Sequence, residues 1–153
     1  MMEGHISGLD DQTDEATKIM LGNVVKRKKK FDRYKNKHFV SIYLTLGLAA
    51  ILIIYSYKNI IIPYSYSFFT MYSYFFENNI NIVLVMLLGF TYGGMIYYKK
   101  KMDKAEKEYH ALRCEIVDRS KDLWKNELAW KNRHLIFNIM KDQYDINLFH
   151  ENK

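Results

Sequence analysis

The chain has 153 residues, one domain's worth or less, with a formal net charge of +6, thirteen tyrosines, nine phenylalanines and a single proline. So aromatic and apolar a composition excludes a chain disordered throughout, and the lone cysteine, Cys114, excludes an internal disulfide. The charge is not spread: the eight cations and one anion between Lys26 and His38 give 8 − 1 = +7, which leaves about −1 for everything else. A nucleic-acid binder more often distributes Lys and Arg over a face.

Residues 1–12 read as a polar, flexible N-terminus. Residues 13–38 then read as a basic amphipathic helix. Thr13 or Asp14 can cap it, and Asp14 and Glu15 suit the positive end of its dipole. Met20, Val24, Phe31 and Tyr34 recur on one side, and Gly22 weakens the pattern. The cations Lys26, Arg27, Lys28, Lys29, Lys30, Arg33, Lys35 and Lys37 are expected to meet anionic lipid headgroups, because a long apolar run adjoins them.

That run is "FVSIYLTLGLAAILIIYSY", nineteen residues without a charge. At about 1.5 Å per residue it reaches roughly 28 Å, close to the ~30 Å hydrocarbon core of a bilayer. A first transmembrane helix is placed at 39–62, ended by Pro63. Residues 63–79 are rich in tyrosine and serine and read as an extracytoplasmic connector at the membrane interface. The charge-free stretch 59–76 leaves entry into the bilayer open. A second span, "INIVLVMLLGFTYGGMIYY", occupies 80–98. The competing reading is two buried helices of a soluble core, but so small a chain could hardly wrap both in polar cover. A cleaved signal peptide is not expected either: the first run starts at residue 39 and no small-x-small site comes after it.

Lys and Arg near span ends set orientation. Eight lie in the flank from Lys26 to His38 before the first run, six in the fifteen residues after the second, and the connector has Lys58 alone. Both termini are therefore expected in the cytoplasm of a bacterial cell membrane, around a two-span helical hairpin. Gly89-x-x-x-Gly93 would let helix backbones approach closely. Depth matching pairs it with Ser41, Thr45 and Ala49 of the first span, Ala49 opposite Gly89 and Thr45 opposite Gly93.

Residues 99–153 read as a long cytoplasmic helical tail, partly like a coiled coil. Met102, Tyr109, Ile116, Leu123, Trp130, Phe137 and Tyr144 recur every seven positions. The companion positions begin with Ala105 and Leu112 but turn polar at Arg119, Asn126 and Arg133 before Met140. A second apolar set, Trp124, Leu128, Leu135 and Ile139, lies on another side. The stripe needs a cover, either the N-terminal arm, a second copy or the membrane surface. Cleaner proximal heptads favour a second copy.

Little points to chemistry. His110 and Cys114 stand four apart on one helix, but no second pair completes a zinc site, with His134 and His150 the other histidines nearby. Neither span carries an ionisable carboxylate, amine or imidazole for a proton relay. No catalytic residue, metal site or cofactor is expected, and no nucleic-acid partner. The expected role is that of a non-enzymatic interaction or assembly protein, partnered by anionic lipid and by a second copy or another membrane protein. The alternative is an accessory subunit of a membrane transport complex, or a small pore within one.

"TDEATKIML" ahead of the first span, and "EIVDRSKDLW" leading to "KNRHLIFNIMKDQYDINLFHE" after the second, resemble the YpbF-like family of small Bacillus membrane proteins, a domain of unknown function. The resemblance covers nearly the whole chain. It implies a bacterial cell-membrane setting and no activity or functional residue.

Overall fold

The computed structural model describes residues 14–149, and the described residues are helical with short connections and no strand. The expected flexible terminus at 1–12, Thr13 and His150 lie outside them. Helix α1 is Glu15–Ser56, continued by one π-turn at Tyr57–Ile61 and a short α2 at Ile62–Tyr64. Helix α3 is Phe68–Glu77 and α4 is Asn79–Asp118. One turn, α5 at Ser120–Leu123, precedes α6 at Glu127–Tyr144. Two compact units emerge, one drawn from Met1–Arg33 and Met102–Lys153, the other being Tyr34–Lys101.

Several boundaries differ from the sequence reading. No break separates the basic arm from the first apolar run, because nothing between Arg33 and Phe39 disfavours helix and Gly22 is absorbed without interruption. Pro63 does not end the first helix at 62. A proline removes one amide donor and crowds the carbonyl four residues earlier. The chain answers by widening one turn, where the Ile62 N–H donates to Tyr57 O, five residues back, and helix persists to Tyr64. Asn59 Nδ2 donates to Tyr55 O at 3.0 Å within this distorted stretch. The connector holds a helix of its own. Ser67 Oγ accepts from the Thr70 N–H and starts α3, whose C-terminus gives way at Asn78. Asn78 Oδ1 in turn accepts from the Ile80 N–H at the start of α4.

The tail is not one rod. Helix α4 stops at Asp118, and α6 begins only after Asn126, whose side chain accepts from the Leu128 N–H. This accounts for the polar interruptions of the seven-residue pattern. Arg119 sits where the chain bends, Asn126 is a helix cap, and Arg133 lays its guanidinium 3.6 Å over the Trp130 ring.

Two helices, Glu15–Tyr64 and Asn79–Asp118, are long and apolar enough to cross a membrane, and the most apolar eighteen residues of each are only 6% buried. In the unit of Tyr34–Lys101 many apolar side chains accordingly point outward, although Ile60 is buried. Val40, Leu46, Ile53, Ile54, Phe69 and Met86 are all exposed. The other unit is built the opposite way, with a closed core of Leu21, Val24, Val25, Tyr109, Ile116, Trp124, Ala129, Ile136, Phe137, Met140, Ile146 and Leu148.

Candidate functional site

The core unit shows what covers the seven-residue stripe. Tyr109, Ile116 and Phe137 are buried, and Met102, Leu123, Trp130 and Tyr144 are half-buried. Their cover is the arm of the same chain, through Leu21, Val24 and Val25, with Met20 at the edge. Of the three covers that the sequence leaves open, the arm is the one that packs on the stripe within the chain. Of the second apolar set, Trp124 turns inward at 2% exposure and meets Phe137 edge-on, centroids 5.5 Å apart. Leu128 and Leu135 stay outside, 56% and 53% exposed.

Polar contacts fix the arm's register on the tail. Thr17 Oγ1, fully buried, donates to Leu123 O at 3.1 Å. Arg27 Nη1 donates to Glu108 O at 3.0 Å, and Lys30 Nζ reaches Glu108 Oε2 at 2.9 Å. Phe31 lies parallel to Tyr109, with centroids 6.3 Å apart. Lys28 is the most enclosed cation of the block: its ammonium is 3.4 Å from Asp32, 3.1 Å from Asp145, and within 6 Å of the Phe31 and Tyr109 ring centres. An open hollow of about 290 Å³ adjoins this network, lined by Val25, Lys29 and residues 142–145 besides Lys28 and Asp32.

The electrostatics reflect these positions. Burial pushes the Lys28 ammonium down, but its hydrogen bond to Asp145 and the charges of Asp32 and Asp145 outweigh that, so its pKa is raised. The Glu108 carboxyl is lowered, first by its hydrogen bond from Lys30. Burial raises the Tyr109 phenol, against the pull of Lys28 and Arg113.

Asp145 ends α6 in the left-handed region at φ 55°, where its N–H donates to Lys141 O and the next N–H, that of Ile146, to Met140 O. That turn throws Ile146 and Leu148 back into the core. Arg113, 5% exposed, seals the segment by donating from Nη1 to Asn147 O at 3.0 Å. Sequence periodicity misses Arg113, Ile146 and Leu148, because a helical pattern drawn through residue 153 hides the turn. The one available signal is the Asp-Ile-Asn-Leu stretch, whose apolar alternation departs from helical spacing.

The eight cations expected at headgroups therefore divide. Arg27, Lys28 and Lys30 hold the arm to the tail, while Lys26, Lys29 and Arg33 lie exposed along another side of α1. Lys35 and Lys37, both exposed, belong to the other unit, where the Lys37 ammonium sits 5.8 Å from the Tyr98 ring centre. Lys101 lies 5.5 Å from the Tyr97 ring centre at the same end of that unit.

The small residues of the apolar unit are not paired as depth matching expects. A Cβ added at Gly89 or Gly93 meets nothing within 4 Å, whereas one at Gly94 comes 3.9 Å from Ser41 Oγ. Ser41 is buried, and Thr45 Oγ1 donates to Ser41 O in its own helix rather than across to the other. Ala49 is half-buried, and it lies more than 4 Å from where a side chain at Gly89 or Gly93 would stand. Gly89, Gly93 and Gly94 instead floor an open groove of about 460 Å³ with Phe90, Tyr97 and Tyr98.

No group of three or more metal-ligating side chains occurs among the described residues. His110 Nε2 lies 3.8 Å from Glu106 Oε1, and Cys114 is half-buried and in no disulfide.

No solved structure matches the chain. It is 37% identical to the "Uncharacterized protein YpbF" of Bacillus subtilis (strain 168), across 99% of this chain and 100% of that protein. Residues 20–151 match the family described as "Protein of unknown function (DUF2663)", and the chain belongs to that family.

Proposed function

We propose that this is an integral membrane protein of two spans, a helical hairpin with both ends in the cytoplasm, whose core unit is a non-enzymatic interaction module. One observation carries the membrane assignment. Only 6% of the most apolar eighteen residues of each apolar helix is buried, although the same chain closes a proper core in its other unit. At about 25 cal/mol per Å² of apolar surface, leaving both helices in water would cost tens of kcal/mol, more than a folded domain has to lose. Lipid removes that cost. The cation count at the span ends supports the orientation.

The interaction role rests on Leu128 and Leu135, seven residues apart on α6 and left outside a core that the arm already completes. They are offered to a further helix, from a second copy or another protein at the membrane.

The test has two parts. The protein should resist carbonate extraction. In a Cys114→Ser background, an impermeant maleimide should label Ser67→Cys in intact cells and the exposed Lys121→Cys only after opening them. Release by carbonate overturns the membrane assignment, and outside labelling of Lys121→Cys overturns the cytoplasmic placement of the core unit. A photo-crosslinking residue at Leu135 should capture a discrete protein adduct that one at Lys121 does not. Identical patterns at both positions overturn the interaction role.

A further inference from the structure

The groove on α4 and the lysines at its end form one continuous surface. Its floor is glycine, and nothing lies within 4 Å of where side chains at Gly89 and Gly93 would stand. Its wall is Phe90, 81% exposed, and one end is formed by Tyr97 and Tyr98. Over those two rings stand the ammonium groups of Lys101 and Lys37. An ammonium held against an aromatic face keeps a fixed position while its remaining N–H donors stay available. Lys35, Lys99 and Lys100 crowd the same end in sequence, and the single carboxylate between Tyr34 and Lys101 is Glu77, twenty residues before Tyr97. Along the two helices the next carboxylates beyond that end are Asp32 and Asp103.

An open apolar groove that ends at two cations matches an amphiphile with an anionic head. We infer that this surface binds one anionic phospholipid of the inner leaflet, with an acyl chain along Gly89, Phe90 and Gly93 and the phosphate between Lys37 and Lys101. The inference rests on the two-span reading. It adds a ligand and a place for it: the glycines face lipid to admit a chain, and the tyrosines aim the lysines. A zwitterionic lipid fits the groove equally well but gains less from the head, because its own cation meets the lysines.

Native mass spectrometry of the full-length protein in mixed micelles tests this, with phosphatidylglycerol and phosphatidylcholine as probes. The wild type should retain one phosphatidylglycerol in clear preference to phosphatidylcholine. Each cation near an anionic head contributes a factor of about five, so Lys37→Gln with Lys101→Gln should cut the preference roughly twenty-five-fold or abolish it. Lys26→Gln with Lys29→Gln, outside the groove, should leave it unchanged. Gly93→Leu, which fills the floor, should lower retention of both lipids. Equal retention of the two lipids by the wild type, or a preference that survives loss of Lys37 and Lys101, overturns the inference. Carbonate extraction of the same variants separates the two questions: a protein that stays in the membrane without lipid preference retains its spans and lacks the site.

Discussion

Lys28 and Asp145 lie 117 positions apart in sequence and 3.1 Å apart in space. The contact joins the arm to the residue that ends α6, the point from which Ile146 and Leu148 turn back into the core. Asp145 is almost fully exposed, so water screens the pair and its worth is that of a surface ion pair, about 0.5–1 kcal/mol. Asp145→Asn tolerates the left-handed backbone while removing the charge. A double-mutant cycle of Lys28→Met and Asp145→Asn should give a coupling of that size in urea unfolding. Both tryptophans, Trp124 and Trp130, lie in the core unit, so their fluorescence reports on it alone. A coupling near zero would mean that the 3.1 Å contact contributes nothing.

The titrating groups at this joint make the core unit sensitive to pH at both ends. The Lys28 pKa is raised from 10.5, so its contribution is complete below about 10.5 and is lost as pH rises through the folded value. The Tyr109 phenol is also raised, from 10.0, and acts in the same direction: ionisation favours the unfolded chain above that pH. Glu108 is lowered from 4.5, so its contribution is present above 4.5 and falls away as pH drops through the folded value. Thermal unfolding read by tryptophan fluorescence should therefore show stability flat near neutrality and declining above about pH 10. Tyr109→Phe should make the alkaline decline shallower. An unchanged alkaline limb in that variant would show that the phenol does not contribute.

How far the sequence reaches differs between the two units. The apolar runs at 39–57 and 80–98 are legible because uninterrupted length without charge has few alternatives. The stripe from Met102 to Tyr144 is legible as apolar periodicity, and six of its seven members lie in or against the core. Its partner is not legible, since Val24 on a short arm and a second copy of the tail satisfy the same seven-residue pattern. Nor are the ends of the elements. Asn126 reads equally as a spoiled seam position and as a helix cap, and only the Leu128 N–H at 3.3 Å decides between them. The glycine pairing fails for a different reason. Depth gives a residue's height in a helix but not its angle about the axis, and Gly93 and Gly94, adjacent in height, differ by about 100°.

An arm that completes the core has a direct consequence for the tail alone. Leu21 and Val24 are fully buried and Val25 nearly so, and each large side chain withdrawn from water is worth about 1.5–3 kcal/mol. A peptide of residues 99–153 should be poorly ordered by itself. Addition of a peptide of residues 13–38 should raise its helicity by circular dichroism and shift Trp124 emission to the blue. Val24→Asp in the added peptide should prevent both changes. Full order in the tail alone, through self-association, would show that the arm is dispensable.

Ser41 and Gly94 provide the last test, because they touch where Gly89 and Gly93 do not. A methyl at Gly94 would stand 3.9 Å from Ser41 Oγ, an ordinary van der Waals distance, so Gly94→Ala should be tolerated. Leucine there extends past that distance into a buried serine and should cost about 1–2 kcal/mol or force the helices apart. Gly93→Leu projects into open space and should leave the packing between the helices unchanged. Disulfide formation reads this directly. In a Cys114→Ser background, Ser41→Cys with Gly94→Cys should cross-link efficiently in membranes, and Ala49→Cys with Gly89→Cys should not. Phe90→Ala, at a position 81% exposed, should leave the first yield unchanged. Efficient cross-linking of the 49–89 pair together with failure of the 41–94 pair would mean that α4 is rotated about its axis, by about 140° from Gly94 to Gly89, and that the groove floored by Gly89 and Gly93 is an internal seam.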